Sequence, residues 1–265
     1  MISSRPAACV EVGASSIQTV LFEADGSHRL LPGAHQPDGF ELAIAVPGLI
    51  ENGKVTESSN LGWRNMDPVA ALGLPGPASV VVNDAEAAAL GEAVLRGPSA
   101  FNRLVYLGLG TGIGGAVVVE GELLAGNLFG HTSGFSSAIC PCGRTGCLET
   151  VAAGWSLPFP LNDDSLTRAA VALATAVMSE PLAAGGALVI VGGGIARKYP
   201  RIVEMIGTHL NDRVVEPSRA PADAKSAAGW GLSYLLNSLE MIEPQTEESS
   251  ATIRINTPAS SRTES

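Results

Sequence analysis

Short apolar runs alternate along this chain with segments of helical periodicity, and glycine and proline residues separate them. Residues 8–12 and 17–22 are apolar runs joined by small residues, which predicts a hairpin of two strands. Residues 42–46 form another apolar run, stopped by Pro47 and Gly48, which predicts a further strand. Such an alternation of strands and helices is typical of an α/β protein.

The alternation continues along the rest of the chain. Predicted strands cover residues 104–109, 116–120 and 187–191, and predicted helices cover residues 84–95, 166–178 and 195–210. We therefore expect two lobes of related strand–loop–helix construction, residues 1–98 and residues 99–242. From residue 243 the sequence is rich in Thr, Ser, Glu and Pro without periodicity, which predicts a disordered tail over residues 243–265.

The composition restricts the classes of function. With 265 residues, of which 46% are hydrophobic and 16% charged, the chain can bury one large core or two smaller ones. A net charge of −10 and scattered Lys and Arg residues offer no basic surface to nucleic acid or to an anionic membrane. No apolar run reaches the roughly 20 residues of a membrane-spanning helix, and the N-terminus lacks a signal-peptide pattern. We therefore expect a cytoplasmic protein.

Two motifs at the ends of predicted strands carry candidate chemistry. The apolar residues 80–82 lead into Asn83 and Asp84, and the strand at residues 104–109 leads into a glycine-rich loop at residues 110–115. A carboxylate at the end of a buried strand, next to a glycine loop whose N–H groups can hold phosphates, is what phosphoryl transfer requires. Taken alone, Asp84 could equally be the N-cap of the following helix, and Asn83 a turn residue that satisfies its own backbone.

The spacing of the cysteines predicts a metal site. Cys140, Cys142 and Cys147 provide three soft ligands on one short loop, and His131 upstream supplies a fourth, which makes a tetrahedral zinc set. The alternative is a group of buried free thiols. Cys9 stands alone in a predicted strand, and we expect it in the core.

Further motifs lie between and after these, and their order along the chain is informative. The set comprises Val46-Pro47-Gly48-Leu49-Ile50, Asn60-Leu61-Gly62-Trp63, Asn83-Asp84-Ala85, Gly110-Thr111-Gly112-Ile113-Gly114-Gly115, Gly130-His131, the cysteine motif ending in Leu148-Glu149, and Gly192-Gly193-Gly194. This order resembles that of the ROK family of bacterial sugar kinases and repressors, over roughly residues 11–236. The resemblance implies an actin-like (ribonuclease H-like) α/β fold of two lobes. It also implies that ATP with Mg²⁺ and a hexose meet in the cleft, and that the γ-phosphate passes to a sugar hydroxyl.

The resemblance also assigns roles to individual residues. Asp84 matches the catalytic base, which orients the sugar hydroxyl and takes its proton. The matching sugar contacts are Asn60, Asn83, Asp84, His131 and Glu149, and the matching nucleotide contacts are Glu11, Gly13, Ser15, Gly110, Thr111, Gly112, Gly114, Gly192, Gly193 and Gly194. For residues 192–194, close packing of a helix on a strand is the alternative. His131 and the three cysteines match a structural zinc site that holds the sugar-contact loop.

The chain departs from the family pattern in several places. Residues 11–15 read Glu-Val-Gly-Ala-Ser where the family has Asp-x-Gly-Gly-Thr, so we expect altered magnesium and phosphate geometry. Leu128 stands where the family has a sugar-binding Glu, so we expect the loss of one hydroxyl contact. Residues 23–41 and 155–186 are too short for the helices that the family carries there, so we expect an open adenine side of the cleft.

Two hypotheses from different classes follow. The first is an ATP-dependent kinase that acts on a hexose or a sugar-like substrate such as an amino sugar, a deoxy sugar or a cyclitol, with polyphosphate as an alternative donor. The second is a catalytically weak sugar-binding sensor. Repressors of the family carry an N-terminal helix-turn-helix domain, for which this sequence leaves no room, so we expect no DNA binding. A homodimer is compatible with both hypotheses.

Overall fold

The structure is a computed structural model that describes residues 5–125, 129–180, 186–210 and 213–242. The N-terminal part of the chain forms the first of its sheets. Numbered in chain order, its strands are β1 (Ala7–Val12), β2 (Ile17–Phe22), β3 (His28–Pro32), β4 (Glu41–Val46) and β8 (Ala78–Asn83). Their order in the sheet is β3-β2-β1-β4-β8. Strands β1 and β2 form the predicted antiparallel hairpin, whereas β4 runs parallel to β1 and β8. The carboxyl ends of β1, β4 and β8 therefore meet at one edge of the sheet.

A small three-stranded sheet lies between β4 and β8 in the chain. It consists of β5 (Leu49–Glu51), β6 (Lys54–Ser58) and β7 (Trp63–Met66), and the helix α1 (Pro68–Leu72) follows it. Antiparallel pairing joins β6 to both of its neighbours. The turn between β6 and β7 carries Asn60, which this excursion brings to the carboxyl edge of the first sheet.

The second sheet is built on the same plan. Its strands are β9 (Arg103–Leu109), β10 (Ile113–Val119), β11 (Glu122–Ala125), β12 (Leu188–Gly192) and β13 (Val215–Pro217), in the order β11-β10-β9-β12-β13. Strands β9 and β10 form the predicted hairpin around the glycine loop, and β12 runs parallel to β9 and β13. Both glycine segments, residues 110–112 and 193–194, thus follow the carboxyl ends of neighbouring parallel strands.

The remaining helices cover the faces of the two sheets. They are α2 (Asp84–Arg96), α3 (Glu149–Ala152), α4 (Asp163–Ser179), α5 (Gly193–Lys198), α6 (Arg201–His209) and α7 (Ala228–Ile242). The helices predicted at residues 84–95 and 166–178 are confirmed as α2 and α4. Helix α4 begins three residues earlier than predicted because Asn162 and Ser165 form a reciprocal capping box, with distances of 2.9 and 3.0 Å.

The prediction of one helix over residues 195–210 is wrong. Helix α5 ends at Lys198 and α6 begins at Arg201, because Pro200 interrupts the hydrogen-bonding ladder. The preceding residue, Tyr199, has φ −130° and ψ 69°, outside the helical region that a following proline disfavours. The glycine segment at residues 192–194 therefore opens a helix of fewer than two turns.

Helices α2 and α7 pack at very short distance. A Cβ added to Gly91 would lie 1.8 Å from the carbonyl oxygen of Ala227, and one added to Gly231 would lie 1.9 Å from that of Ala87. Only glycine fits at both positions, since these contacts involve backbone atoms. Helix α2 also contacts β8 of the first sheet and β9 and β10 of the second, so it joins the two lobes.

Helix α7, the last helix of the described residues, packs against the first sheet. Helix α7 contacts β1 and β4, and its buried Trp230 packs edge-on against Phe22 with ring centroids 5.8 Å apart. The lobe boundaries at residues 98 and 242 remain a prediction. The predicted tail at residues 243–265 and Leu128 lie outside the described residues.

An ion network fixes the last turn of α2 to the second sheet. Arg96 pairs with Glu92 one turn earlier, and both side chains are buried. Arg96 also donates from Nε to Glu216 Oε2 at 3.3 Å and from Nη2 to the carbonyl oxygen of Pro217 at 2.6 Å. Glu216 and Pro217 belong to β13, so the two ends of α2 attach to different sheets.

The two segments that we expected to be too short for the helices of the family differ from each other. Residues 23–40 form turns and β3, whereas residues 155–180 contain α4. Within the described ranges, no helix is long and apolar enough to cross a membrane.

Candidate active site

A cavity of about 730 Å³ lies where the carboxyl edges of the two sheets face each other. It brings together most of the predicted site residues: Glu11, Gly13, Ser15, Asn60, Asn83, Asp84, Gly110, Thr111, Gly112, Gly114, His131, Cys142, Glu149, Gly193 and Gly194. Gly192, Cys140 and Cys147 belong to the predicted sets but do not line the cavity. The cavity is large enough for a small-molecule substrate, and polar groups converge on it from both lobes.

Asp84 is the first residue of α2 and is not its cap. Asn83 is the N-cap, because its Oδ1 accepts hydrogen bonds from the N–H groups of Ala85 at 2.9 Å and Glu86 at 3.4 Å. The alternative that made Asp84 the N-cap is therefore wrong. The Asp84 carboxylate lines the cavity, and its Oδ1 accepts from the N–H of Ala85 at 3.0 Å. Burial raises the pKa of Asp84, while Lys225 and the hydrogen bond from Ala85 oppose this shift.

Asn83 satisfies the backbone around it, as the alternative interpretation expected. In addition to its cap contacts, its Nδ2 donates to the carbonyl oxygen of Gly48 at 3.0 Å. An amide has two N–H donors, so one donor of the buried Asn83 remains available to the cavity that it lines. The cap and a ligand contact are thus compatible.

Glu149 begins α3 and is buried, with both carboxylate oxygens engaged. Oε1 accepts from the N–H of Ile113 at 2.7 Å, and Oε2 accepts from the indole N–H of Trp155 at 3.2 Å. A Cβ on Gly112 would lie 2.5 Å from Glu149 Oε1 and 3.2 Å from Asn60 Nδ2. Glycine at position 112 therefore lets Asn60 and Glu149 converge beside the loop. Trp155 lines the cavity as well, although no sequence motif includes it.

The backbone of the first glycine loop is held from both sides. Within the loop, the N–H of Gly110 donates to the carbonyl oxygen of Gly112 at 3.0 Å. From outside, Gly154 donates to Gly110 at 2.9 Å and Trp155 donates to Thr111 at 3.2 Å, each from backbone N–H to carbonyl oxygen. The two contacts from outside use carbonyl groups of the loop as acceptors and occupy none of its N–H groups, which is compatible with an anionic ligand there.

The second glycine segment, residues 192–194, packs tightly against strand β9 of the second sheet. Gly193 has φ +90°, and a Cβ there would lie 2.3 Å from the carbonyl oxygen of Leu109. A Cβ on Gly192 would lie 2.7 Å from the hydroxyl oxygen of Tyr106. Close packing is therefore the geometry at Gly192, whereas Gly193 and Gly194 line the cavity.

Glu11 lies near the end of β1 with a buried side chain. Its Oε1 accepts from the hydroxyl of Ser226 at 2.9 Å and lies 3.8 Å from Lys225 Nζ. Burial raises the pKa of Glu11, and Lys225 and Ser226 act in the opposite direction. Lys225 lies outside the sequence motifs, in a segment of small residues, and sequence reasoning missed it.

The predicted metal ligands form one cluster. Ligand atoms of His131, Cys140, Cys142 and Cys147 all lie within 4.8 Å of one another. The sulfur atoms of Cys142 and Cys147 are 3.7 Å apart, and Cys140 Sγ lies 3.8 Å from His131 Nδ1. In a tetrahedral zinc site with bonds of about 2.3 Å to sulfur, ligand atoms lie about 3.8 Å apart, so this donor set fits zinc.

The thiols of this cluster differ in acidity. Burial raises the pKa of Cys140 to about 12. Burial also acts upward on Cys142, but the backbone N–H of Arg144 and the neighbouring thiols outweigh it, so the pKa of Cys142 is lowered. Cys142 therefore ionises more readily than Cys140, and the thiolate is the form that binds a metal.

A cleft between two sheets with the same strand arrangement, with a carboxylate at the edge of one sheet and glycine loops at the edge of the other, is the arrangement of the actin-like fold. The chain belongs to the ROK family, because the model of the ROK family matches residues 28–165. N-acetylmannosamine kinase of Pasteurella multocida is 30% identical over 230 residues, covering 71% of this chain and 77% of that protein. Kanosamine kinase of Amycolatopsis mediterranei is 31% identical over 230 residues, covering 73% and 74%.

Other matches are shorter. The glucokinase of Halalkalibacterium halodurans is 36% identical over 141 residues, which is 49% of this chain and 43% of that protein. N-acetylmannosamine kinase of Escherichia coli O6:H1 is 35% identical over 142 residues, with 50% and 48% covered. The chain thus spans about half the length of these curated relatives.

Solved structures confirm the fold. A ROK family glucokinase from Streptomyces griseus in complex with glucose and AMPPNP superposes with a TM-score of 0.68 at 20% identity, covering 87% of this chain and 98% of that one. An inorganic polyphosphate/ATP-glucomannokinase from an Arthrobacter strain gives a TM-score of 0.63 at 21% identity, covering 89% and 99%. The actin-like fold with two lobes that the sequence resemblance implied is therefore correct.

Proposed function

We propose that this chain is a sugar kinase that transfers the γ-phosphate of ATP to a hydroxyl group of a hexose or a sugar-like cyclitol. The observation that supports this function best is the position of Asp84. Its carboxylate lies at the start of α2, in the same cavity as the glycine loop at residues 110–112. A carboxylate beside a phosphate-binding loop can orient a hydroxyl and accept its proton.

The reaction would then proceed in one displacement. The sugar oxygen bonds to the γ-phosphorus as the bond from this phosphorus to the β–γ bridging oxygen breaks. Asp84 takes the hydroxyl proton, and ADP leaves with the electron pair of the broken bond. A raised pKa makes Asp84 a stronger base than an exposed carboxylate.

The sugar side of the proposed site consists of polar groups on loops from both lobes. Asn60, Asn83, His131 and Glu149 line the same cavity as Asp84. Glu149 is the most rigid of them, because donors from Ile113 and Trp155 fix its two oxygens. The relatives include kinases named for N-acetylmannosamine and kanosamine, so modified sugars are the first substrates to test.

The donor side consists of the glycine segments and Glu11. Gly110, Gly112, Gly193 and Gly194 present backbone to the cavity, as phosphate binding requires. Glu11 supplies a carboxylate, the ligand type that Mg²⁺ prefers, and would hold the metal of Mg-ATP. When bound, the magnesium ion neutralises charge on the phosphate oxygens.

We also propose that His131, Cys140, Cys142 and Cys147 hold a structural zinc ion. Three thiolates and one imidazole leave no open position on a tetrahedral ion, so its contribution is to fold the loop. Cys147 and His131 are tied closely, since the N–H of Leu148 donates to the carbonyl oxygen of Thr132 at 2.8 Å. The loop carries Glu149 next to its last ligand and thereby orients the sugar side.

A coupled assay with Mg-ATP and a panel of hexoses, amino sugars, deoxy sugars and cyclitols tests the proposal. We expect turnover by the wild type with at least one acceptor, and none by Asp84→Asn. A parallel series with polyphosphate in place of ATP identifies the donor. Sugar-dependent thermal stabilisation without turnover for any donor and acceptor would instead support the sensor hypothesis.

A further inference from the structure

Lys225 reaches into the donor side of the cavity from the segment that precedes α7. Its Nζ lies 3.8 Å from Glu11 Oε1 and 3.4 Å from the carbonyl oxygen of Ser16. A Cβ on Gly13 would lie 1.7 Å from this nitrogen, so the ammonium group lies directly over the backbone of Gly13. The turn between β1 and β2 therefore carries a positive charge on its cavity side.

The backbone of Lys225 is fixed by residues of both lobes. Its N–H donates to Gln18 Oε1 at 2.7 Å, and its carbonyl oxygen accepts from the guanidinium group of Arg197. Arg197 Nη1 also donates to the carbonyl oxygen of Ala224 at 2.6 Å. Gln18 belongs to β2 and Arg197 to α5, so the ammonium group is positioned by the assembled cleft.

Lys225 keeps donor capacity for a ligand. An ammonium group has three N–H donors, and Glu11 and Ser16 account for two of them at most. Glu11 Oε1 already accepts a hydrogen bond from the hydroxyl of Ser226 at 2.9 Å. Burial raises the pKa of Asp84 and the charge of Lys225 opposes that shift, so the ammonium group acts on the carboxylate proposed as the base. Lys225 is thus a positive charge on a cavity that Glu11 and Asp84 also line, and a phosphate of the donor needs such a charge there.

We propose that Lys225 is a catalytic residue, which binds the terminal phosphate of the donor through Nζ and stabilises the charge that develops during transfer. This inference rests on the proposed kinase function. Lys225 keeps its proton throughout: the phosphorus–oxygen bond to the leaving diphosphate breaks, the bond to the sugar oxygen forms, and the sugar proton goes to Asp84.

The test measures binding by number of phosphates as well as turnover. Lys225→Met and Lys225→Arg are compared with the wild type and with the control Lys54→Met, whose lysine lies on β6 away from the cavity. Calorimetry with AMP and with the non-hydrolysable triphosphate AMP-PNP, both with Mg²⁺, gives the affinity gained from the terminal phosphates. We expect Lys225→Met to lower AMP-PNP affinity at least tenfold without changing AMP affinity. It should also lower kcat about 10²-fold, and Lys225→Arg should recover part of both.

A double variant separates phosphate binding from simple neutralisation of Glu11. If Lys225 only compensates the Glu11 charge, Glu11→Gln combined with Lys225→Met restores AMP-PNP affinity to that of Glu11→Gln alone. The inference requires that the double variant keep the tenfold deficit. Equal losses for AMP and AMP-PNP, together with a lower Tm, would overturn it in favour of a structural role.

Failure of the inference and failure of the proposed function give different results. Wild-type turnover with an unchanged Lys225→Met variant overturns the inference and leaves the function standing. Absence of turnover in the wild type overturns the function, while the ratio of AMP-PNP to AMP affinity still decides whether Lys225 binds the terminal phosphates. A wild type that binds neither nucleotide overturns both.

Discussion

The indole N–H of Trp155 donates to Glu149 Oε2 at 3.2 Å, while the backbone N–H of Ile113 holds Oε1 of the same carboxylate at 2.7 Å. Ile113 is the first residue of β10, directly after the glycine loop. Glu149 thus connects the proposed sugar side of the cavity to the loop on the donor side. With both oxygens held, the carboxylate is presented in one orientation and does not have to be ordered by the substrate.

Removal of the indole donor tests this orientation. Trp155→Phe keeps an aromatic ring but deletes the hydrogen bond, which is worth about 1.5–3 kcal/mol when the acceptor is charged. We expect the KM for the sugar to rise about tenfold or more with little change in the KM for ATP. Trp63→Phe, at a half-buried tryptophan on β7, is the matched control. A sugar KM equal to that of the wild type would show that Glu149 does not depend on Trp155.

Asp84→Asn should separate activity from stability. Loss of the base should cost at least about 10²-fold in kcat. Because burial raises the folded-state pKa of Asp84 above its unfolded value, the ionised group destabilises the fold at neutral pH. The Tm of Asp84→Asn should therefore equal or exceed that of the wild type at pH 7, and the difference should vanish below about pH 4. A variant that unfolds more readily at pH 7 would contradict this environment for Asp84.

The pH dependence of the wild type offers a second measurement of Asp84. A general base must be deprotonated, so kcat/KM should fall as the pH drops through its pKa. Since that pKa is raised, the acid limb should lie above the ordinary value for Asp of about 3.9. An acid limb at or below this value would remove Asp84 as the titrating base.

The zinc proposal predicts one ion per chain in protein purified without chelator. Cys142→Ser should lower the metal content, the Tm and the apparent sugar affinity together, because the binding free energy of such a site is partly folding free energy. Cys9→Ala is the control, since Cys9 is a core residue on β1 outside the cluster. Fully folded, active protein without zinc would leave the cysteines as buried thiols.

The contact between α2 and α7 predicts a large difference between two glycine substitutions. In Gly91→Ala the new Cβ would meet a backbone carbonyl at 1.8 Å, so the helices must separate, at about 1–3 kcal/mol or more. In Gly207→Ala, on α6, the nearest atom is 3.7 Å away, and the better helix propensity should stabilise by up to about 1 kcal/mol. Chemical denaturation measures both. Similar effects of the two substitutions would show that α2 and α7 can move apart freely.

The sequence predicted those features that a short stretch of chain determines. The hairpins, the strand that leads to Asn83 and the glycine loop all follow from local apolar periodicity and turn residues. The cysteine cluster was predicted because its ligands lie close together along the chain. The cap of α2 was ambiguous by one residue, since both Asn and Asp serve as N-caps and only the backbone angles decide between them.

Features that depend on distant segments were missed. Lys225 comes more than 200 residues after Glu11 in the sequence, and only the packing of α7 on the first sheet brings the two together. Trp155 acquires its contact because the backbone of residues 154–155 lies against the glycine loop.

The break between α5 and α6 is a local feature that the sequence prediction also missed. Pro200 indicated it, but the apolar periodicity on both sides favoured one continuous helix.

Helix α2 is a strut of 13 residues, roughly 20 Å long. One end continues from β8 of the first lobe, and the other is clamped through Arg96 to β13 of the second lobe. Because the strut has a fixed length and both ends are attached, the lobes cannot be pulled apart along it. We therefore expect any movement of one sheet relative to the other to preserve the distance between Asp84 and Arg96, so that a change in the width of the cleft would be a rotation and not a translation along α2.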